Sequence, residues 1–305
     1  MIIKEGVLDG GVNPHFASRD DNSETRRPAV NLPQKPLVTI KPGQSWVALD
    51  LRNLWTYHEL LYFLIWRDVK VRYKQTVLGV AWAILQPVIM IVIFSVIFGQ
   101  VAGLPADGIP YALFAYAGVV TWTFFASAVT KSGNSLVGSA HLITKVYFPR
   151  MIIPAAAVCA SVVDLLLAFV VFVPLMLYYG AMPRWQIVAI LPVMVVLVLL
   201  AFGVGMLMSA LNVKYRDVGV ILPFAIQIWM FLSPVIYPMS ALPPKFRVIM
   251  MFNPVSGIIE TSRSALFGSP FNWLPILVSC VITFLILAGA AFWFRRMERE
   301  FADVV

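Results

Sequence analysis

The side chains able to do chemistry are few in this chain of 305 residues, and they lie far apart. His15, His58 and His141 are scattered, and Cys159 and Cys280 sit within apolar stretches without metal-ligand spacing, so they read as small packing residues. No glycine-rich phosphate loop ending in Lys-Ser/Thr occurs, nor a His-Glu-x-x-His, a Gly-x-Ser-x-Gly or a dinucleotide fingerprint. No catalytic residue, metal site or cofactor of the chain's own is expected. Asp164 stands out because it lies inside an apolar stretch, 14 residues past Arg150 and so about 21 Å along a helix. A carboxylate near mid-bilayer costs about 2.5–3.5 kcal/mol on insertion scales, so something must offset it. Two roles are open to it: a buried polar contact between helices, or a pathway residue that couples ion movement.

The elements that must hold these residues are apolar and long. Six stretches, roughly 77–102, 110–130, 150–179, 185–211, 218–239 and 273–294, each exceed the ~20 residues that cross a ~30 Å hydrocarbon layer. Backbone in lipid must satisfy its own hydrogen bonds, so the spans are expected to be helices and the fold class all-α, a polytopic membrane protein. The chain is 60% hydrophobic and only 12% charged, against about 25% charged residues in soluble domains. Of its 23 Lys and Arg, nineteen fall in residues 1–76, in the loops after spans two and four and in the tail 295–305. By the positive-inside rule both termini are cytoplasmic. The net charge of +8 is thus a topology signal and an affinity for anionic lipid, with no nucleic-acid partner expected.

Residues 1–45 are polar and rich in proline, the composition of a disordered cytoplasmic tail. Residues 51–76 carry Arg67, Lys70 and Lys74 at helical spacing on one face, with Arg72 nearby, and Trp55, Tyr62, Trp66, Val69 and Tyr73 on the opposite stripe. They are expected to form an amphipathic helix in the membrane interface. Between spans five and six, 241–268 predicts two short helices: Pro243-Pro244 starts one, Asn253-Pro254 breaks it, and a second runs to Phe267 and ends at Gly268. Both are too short to span and suit a re-entrant hairpin on the periplasmic side. Glu260 and Arg263, three apart, could pair on one helix face. Inside the spans, Trp82, Tyr116, Trp122, Phe125 and Trp229 read either as packing or as flat apolar faces over which sugar rings can slide.

Four stretches together resemble the membrane subunit of polysaccharide-exporting ABC transporters, the permeases for O-antigen, teichoic acid and capsule. They are RDVKVRYKQTVLGVAWAILQP into span one, HLITKVYFPR before span three, NVKYRDV after span four, and SPVIYP with NPVSGIIETSRSALFG after mid-span five. The resemblance covers about 50–300. It implies a six-helix subunit in the bacterial inner membrane, working as a homodimer with two separate ABC-type ATPase subunits that bind ATP and Mg, and exporting a lipid-linked polysaccharide. It implies that 134–146 docks on the ATPase, with Asn134, His141, Leu142, Ile143 and Lys145 at the contact. It also implies a channel walled by spans one and five, making Trp82, Trp229 and Tyr237 lining or gate residues, with Asn253, Pro254, Glu260 and Arg263 in an outer gate. The alternatives are an ABC permease for a lipid or drug, a membrane enzyme, for which only Asp107 and Glu260 lie clearly outside, and an ion-coupled carrier resting on Asp164.

Overall fold

The computed structural model describes residues 56–74, 80–146, 148–182 and 184–298. The tail 1–45, the start and end of the 51–76 segment and the last residues of 295–305 lie outside the described residues. The described chain is built of helices, in the order α1 (His58–Lys74), α2 (Val80–Phe94) continuing as a π-helix (Ser95–Val101), α3 (Tyr111–Gly138), a short α4 (Ala140–Lys145), α5 (Ile152–Tyr178), α6 (Ile190–Lys214) after a 3₁₀ turn (Trp185–Ala189), α7 (Asp217–Phe231), α8 (Pro244–Met251), α9 (Pro254–Phe267) and α10 (Trp273–Glu298).

Among the described residues, four helices are long and apolar enough to cross a membrane: Tyr111–Gly138, Ile152–Tyr178, Trp185–Lys214 and Trp273–Glu298. The apolar helices at Leu85–Val101 and Asp217–Phe231 are shorter. The predicted fifth span, 218–239, is corrected here. Its helix stops at Phe231, because Ser233-Pro234 and Pro238 cannot continue the hydrogen-bond ladder. Fifteen residues rise only about 22 Å.

Helix α3 is the centre of the bundle. It packs mainly on α6 and α5, while α10 packs on α6, α9 on α10, and α1 on α5. It is the least apolar of the four long helices and the most enclosed, since a helix surrounded by protein has no lipid to meet. Small residues allow its close fit: a side chain at Gly205 of α6 would strike Ser132 of α3. The outer helices turn their largest apolar residues outward. On α5, Leu166, Val170, Val173 and Leu177 are all exposed, at the three- and four-residue spacing of one lipid-facing stripe.

A second buried cluster joins Leu64 of α1, Ile143 of α4, Phe148, Met151 and Ile152 at the start of α5, Met206 and Ala210 near the end of α6, and Phe294 of α10. Arg150 seals this end by donating its backbone N–H to the Glu298 carboxylate (3.1 Å) and Nη1 to the Glu298 carbonyl (2.7 Å). The segments expected inside the cell therefore share one end of the bundle.

Helix α1 packs into this cluster through neither of the two stripes named above. Its packing side is Leu64, backed by Tyr57, Leu60, Leu61 and Ile65, whereas Tyr62, Phe63 and Trp66 point outward. The Lys70 ammonium sits 3.9 Å over the Trp66 ring on that outer side, a cation–π pair suited to headgroup depth.

Candidate functional site

Three constellations gather the residues singled out in the sequence. The first surrounds Asp164 on α5. Arg72 and Tyr73 at the end of α1 both donate to its carboxylate, and Lys131 of α3 lies 3.2 Å away. Asp164 thus has basic partners from two other elements, α1 and the C-terminal half of α3. Burial, and then Asp164 itself, push the Tyr73 phenol up to about 12, so it remains a donor at physiological pH. The sequence marks none of Arg72, Tyr73 and Lys131 as a partner of Asp164. Lys131 directly follows the 110–130 stretch and looks like an ordinary loop cation. The cluster borders a cavity of about 350 Å³ whose wall also includes Gln86, Pro87, Ser127 and Leu165. A second cavity, about 450 Å³, lies among α2, α3 and α7 and is bordered by Trp122, Ile226 and Met230.

The second constellation is the inner loop. Asn134 donates to the Thr130 carbonyl (3.0 Å) and accepts from Asn212 of α6 (3.0 Å). Asn212 also donates to the Gly133 carbonyl (3.0 Å) and accepts the Gly219 N–H of α7 (3.0 Å). One amide thus ties the ends of α3 and α6 to the start of α7. Asn212 lies in the NVKYRDV stretch, but only the fold brings it to Asn134. On α4, Ile143 is buried in the second cluster and Leu142 is half-buried, while His141 and Lys145 are exposed. Ile143 anchors the helix; His141 and Lys145 present the free face. Of the basic residues of α1, Arg67 pairs with Asp68 (2.8 Å), Arg72 holds Asp164, and Lys70 and Lys74 are exposed.

The third constellation is the break after α7. Between Phe231 and Ile236, five main-chain carbonyls each receive a side-chain donor: Tyr237 to Phe231 (3.1 Å), Asn253 to Leu232 (2.9 Å), Arg263 Nη1 to Pro234 (2.8 Å), Arg263 Nη2 to Val235 (2.7 Å) and Tyr111 to Ile236 (2.9 Å). Non-helical backbone among apolar helices persists only where such partners replace the ladder. Arg263 is buried; its Nε also donates to the Phe114 carbonyl (3.3 Å), and its guanidinium lies 3.6 Å from the Phe114 ring centroid. Gly118 permits this approach, because a Cβ there would meet both the Val235 carbonyl and the guanidinium. The expected Glu260–Arg263 pair is not made: the three carbonyls take the guanidinium, and Glu260 Oε2 is buried without a hydrogen-bond partner.

Asn253 also accepts from Trp229 Nε1 (3.1 Å) and donates to Ser233 Oγ (2.9 Å), while capping α9 through the Val255 N–H (3.1 Å) with Pro254 in the first turn. Trp229 meets Phe125 edge-on at 5.1 Å, and Phe125 meets Trp122 at 5.6 Å. Tyr116 and Phe125 are fully buried within the chain, Tyr116 stacking on Phe172 (5.2 Å) and donating to the Ala168 carbonyl (2.7 Å). Trp122 is buried but borders the second cavity. The Trp82 side chain is outside the described residues.

Over most of the chain, at residues 59–267, the sequence matches the family model for ABC-2 type transporters. The chain belongs to the ABC-2 type transporter family. Its curated relatives include the O-antigen export system permease protein RfbA of Klebsiella pneumoniae, 28% identical over 83% of this chain and 97% of the relative. RfbA of Myxococcus xanthus is 27% identical over 84% and 98%. The polysialic acid transport protein KpsM of Escherichia coli is 24% identical over 77% and 92%. As an ABC-2 membrane domain similar to polysaccharide-export permeases, the chain is a transport subunit, and its apolar helices make it a multi-pass membrane protein.

Proposed function

We propose that the chain is the permease subunit of an exporter that moves a lipid-linked polysaccharide, O-antigen foremost, from the cytoplasm to the periplasm. The observation that carries this reading is the likeness to two O-antigen export permeases over nearly their whole length. In this reading six stretches cross the inner membrane, both termini are cytoplasmic, α1 lies in the interface and α8–α9 re-enter from the periplasmic side. Two copies enclose the conduit between α2 and α7, and two ABC-type ATPase subunits hold ATP and Mg.

The energy enters through α4. His141 and Lys145 meet the ATPase, and Ile143 transmits its push into the cluster that also contains Leu64 of α1 and Phe294 of α10. Two links carry the movement onward. The Arg72–Asp164–Lys131 pairs couple α1 to α5 and α3, and Asn134–Asn212–Gly219 reaches the start of α7. Helix α7 then moves as a rod whose outer end is the carbonyl-capped break, the natural point for a gate. Asp164 held by three donors is a structural joint, which disfavours the ion-carrier alternative.

Affinity purification of the tagged protein, with identification of co-purifying chains and an ATPase assay, tests the proposal. A stoichiometric ABC-type ATPase subunit supports it; a pure, inactive chain rejects it.

A further inference from the structure

The cavity beside Asp164 is unlike the rest of the surface. Its lining includes the apolar Pro87, Phe124, Leu165 and Ala168. Its rim holds two cations, Arg72 and Lys131, against the single carboxylate of Asp164. With the Tyr73 phenol neutral, the rim carries a net charge of +1. Lys131 Nζ is 3.2 Å from Asp164 and its side chain retains 36% exposure, so an ammonium with three donors faces the cavity with one partner shown. The hydroxyls of Thr123 and Ser127 add polar lining between the rim and α2. At about 350 Å³, the cavity accommodates a phosphate headgroup and the first part of an acyl chain.

We infer that this cavity, between α1, α2, α3 and α5, binds one anionic glycerophospholipid of the cytoplasmic leaflet, its phosphate at Lys131 and Arg72 and its acyl chain along Leu165 and Phe124. The inference rests on the proposed orientation, in which the end of α1 lies at the cytoplasmic headgroup level. A basic pocket at that depth between helices suits acidic lipid, each cation near the surface contributing about 1 kcal/mol. The exposed Tyr62 and Trp66, with Lys70 over the Trp66 ring, suit headgroup depth on the outward side of α1. The bound lipid bridges the elements that Asp164 joins, so occupancy stiffens the joint between α1 and the bundle.

The test uses the full-length permease in detergent, without ATPase or nucleotide, so its outcome is independent of whether the export reading holds. Phosphatidylglycerol or phosphatidylcholine is added and retained lipid is counted by native mass spectrometry. One phosphatidylglycerol per chain is expected, with at least tenfold weaker retention of phosphatidylcholine. Thr123→Trp, which puts an indole at an exposed, uncharged lining position, and Lys131→Gln should each lower phosphatidylglycerol retention at least tenfold, with unchanged gel-filtration profiles. Equal retention of the two lipids, or unchanged retention in both folded variants, overturns the proposal. So does displacement by equimolar inorganic phosphate, or by equimolar polyprenyl phosphate, which would assign the cavity to a free anion or to a carrier lipid.

Discussion

Replacing Arg263 by methionine tests the break after α7 directly. The side chain makes three charge-assisted donations, to Pro234, Val235 and Phe114 carbonyls at 2.8, 2.7 and 3.3 Å, and lies over the Phe114 ring. Methionine has a similar length and fills the space, but it donates nothing. Hydrogen bonds from charged donors are worth about 1.5–3 kcal/mol each net, and a buried acceptor left alone costs about 1–3 kcal/mol. Against this stands the relief of no longer burying a guanidinium, which recovers several kcal/mol. The longer contact to Phe114 counts least. The balance is a loss of about 3–5 kcal/mol, in the range measured when one partner of a buried charged network is removed. At about 2–4 °C per kcal/mol for a chain of this size, the apparent Tm should fall by roughly 6–20 °C. Thermal unfolding in detergent, followed by size exclusion, reads this out. Arg263→Lys should recover less than half of the loss, because one ammonium cannot reach carbonyls spread along a planar fork. If Arg263→Met melts within 2 °C of the parent, a shift below about 1 kcal/mol, the carbonyl-capping argument is wrong.

The other predictions follow from the remaining joints. Asp164→Asn should destabilise by about 1–3 kcal/mol, less than for a fully buried pair, because a quarter of the carboxylate side chain is still exposed (27%). Export should persist in that variant and be insensitive to the proton gradient, and gradient-dependent export by the parent would revive the carrier reading. His141→Glu with Leu142→Glu should leave the chain folded, since Ile143 is the anchor, yet uncouple ATP hydrolysis from export; normal export with normal ATPase stimulation would remove α4 as the docking element. Trp229→Phe deletes the Nε1 donation to Asn253 (3.1 Å) and trims the indole but keeps a ring, the lost donation costing about 0.5–1.5 kcal/mol, whereas Trp229→Ala also loses the Phe125 contact and should cost about 3–5 kcal/mol. Equal melting of the two variants would show that the ring packing carries no weight.

Much of the architecture follows from the order of residue types alone. An apolar run long enough to cross lipid has one backbone solution, so the helices of 111–138, 152–178, 190–214 and 273–298 were legible. Proline and glycine act locally, which is why the starts at Pro244 and Pro254 and the stop at Gly268, with its φ of 72°, could be read directly. The fifth stretch misled because hydropathy continues through Val235 and Ile236 while the helix does not. Apolar side chains report burial, not whether backbone carbonyls have partners.

What only the tertiary structure decided is who meets whom. Asp164 looked solitary in its span because its partners arrive from residues 92, 91 and 33 positions away in sequence. Arg263 looked like half of an i,i+3 ion pair with Glu260, yet it spends its donors on carbonyls 28, 29 and 149 positions away. Asn212 looked like a loop residue and is the pin between three helices. Local spacing sets which side chains share a face; a buried donor then goes to whichever acceptor the packing leaves unsatisfied, and that acceptor is fixed by how the helices cross, not by the sequence around the donor.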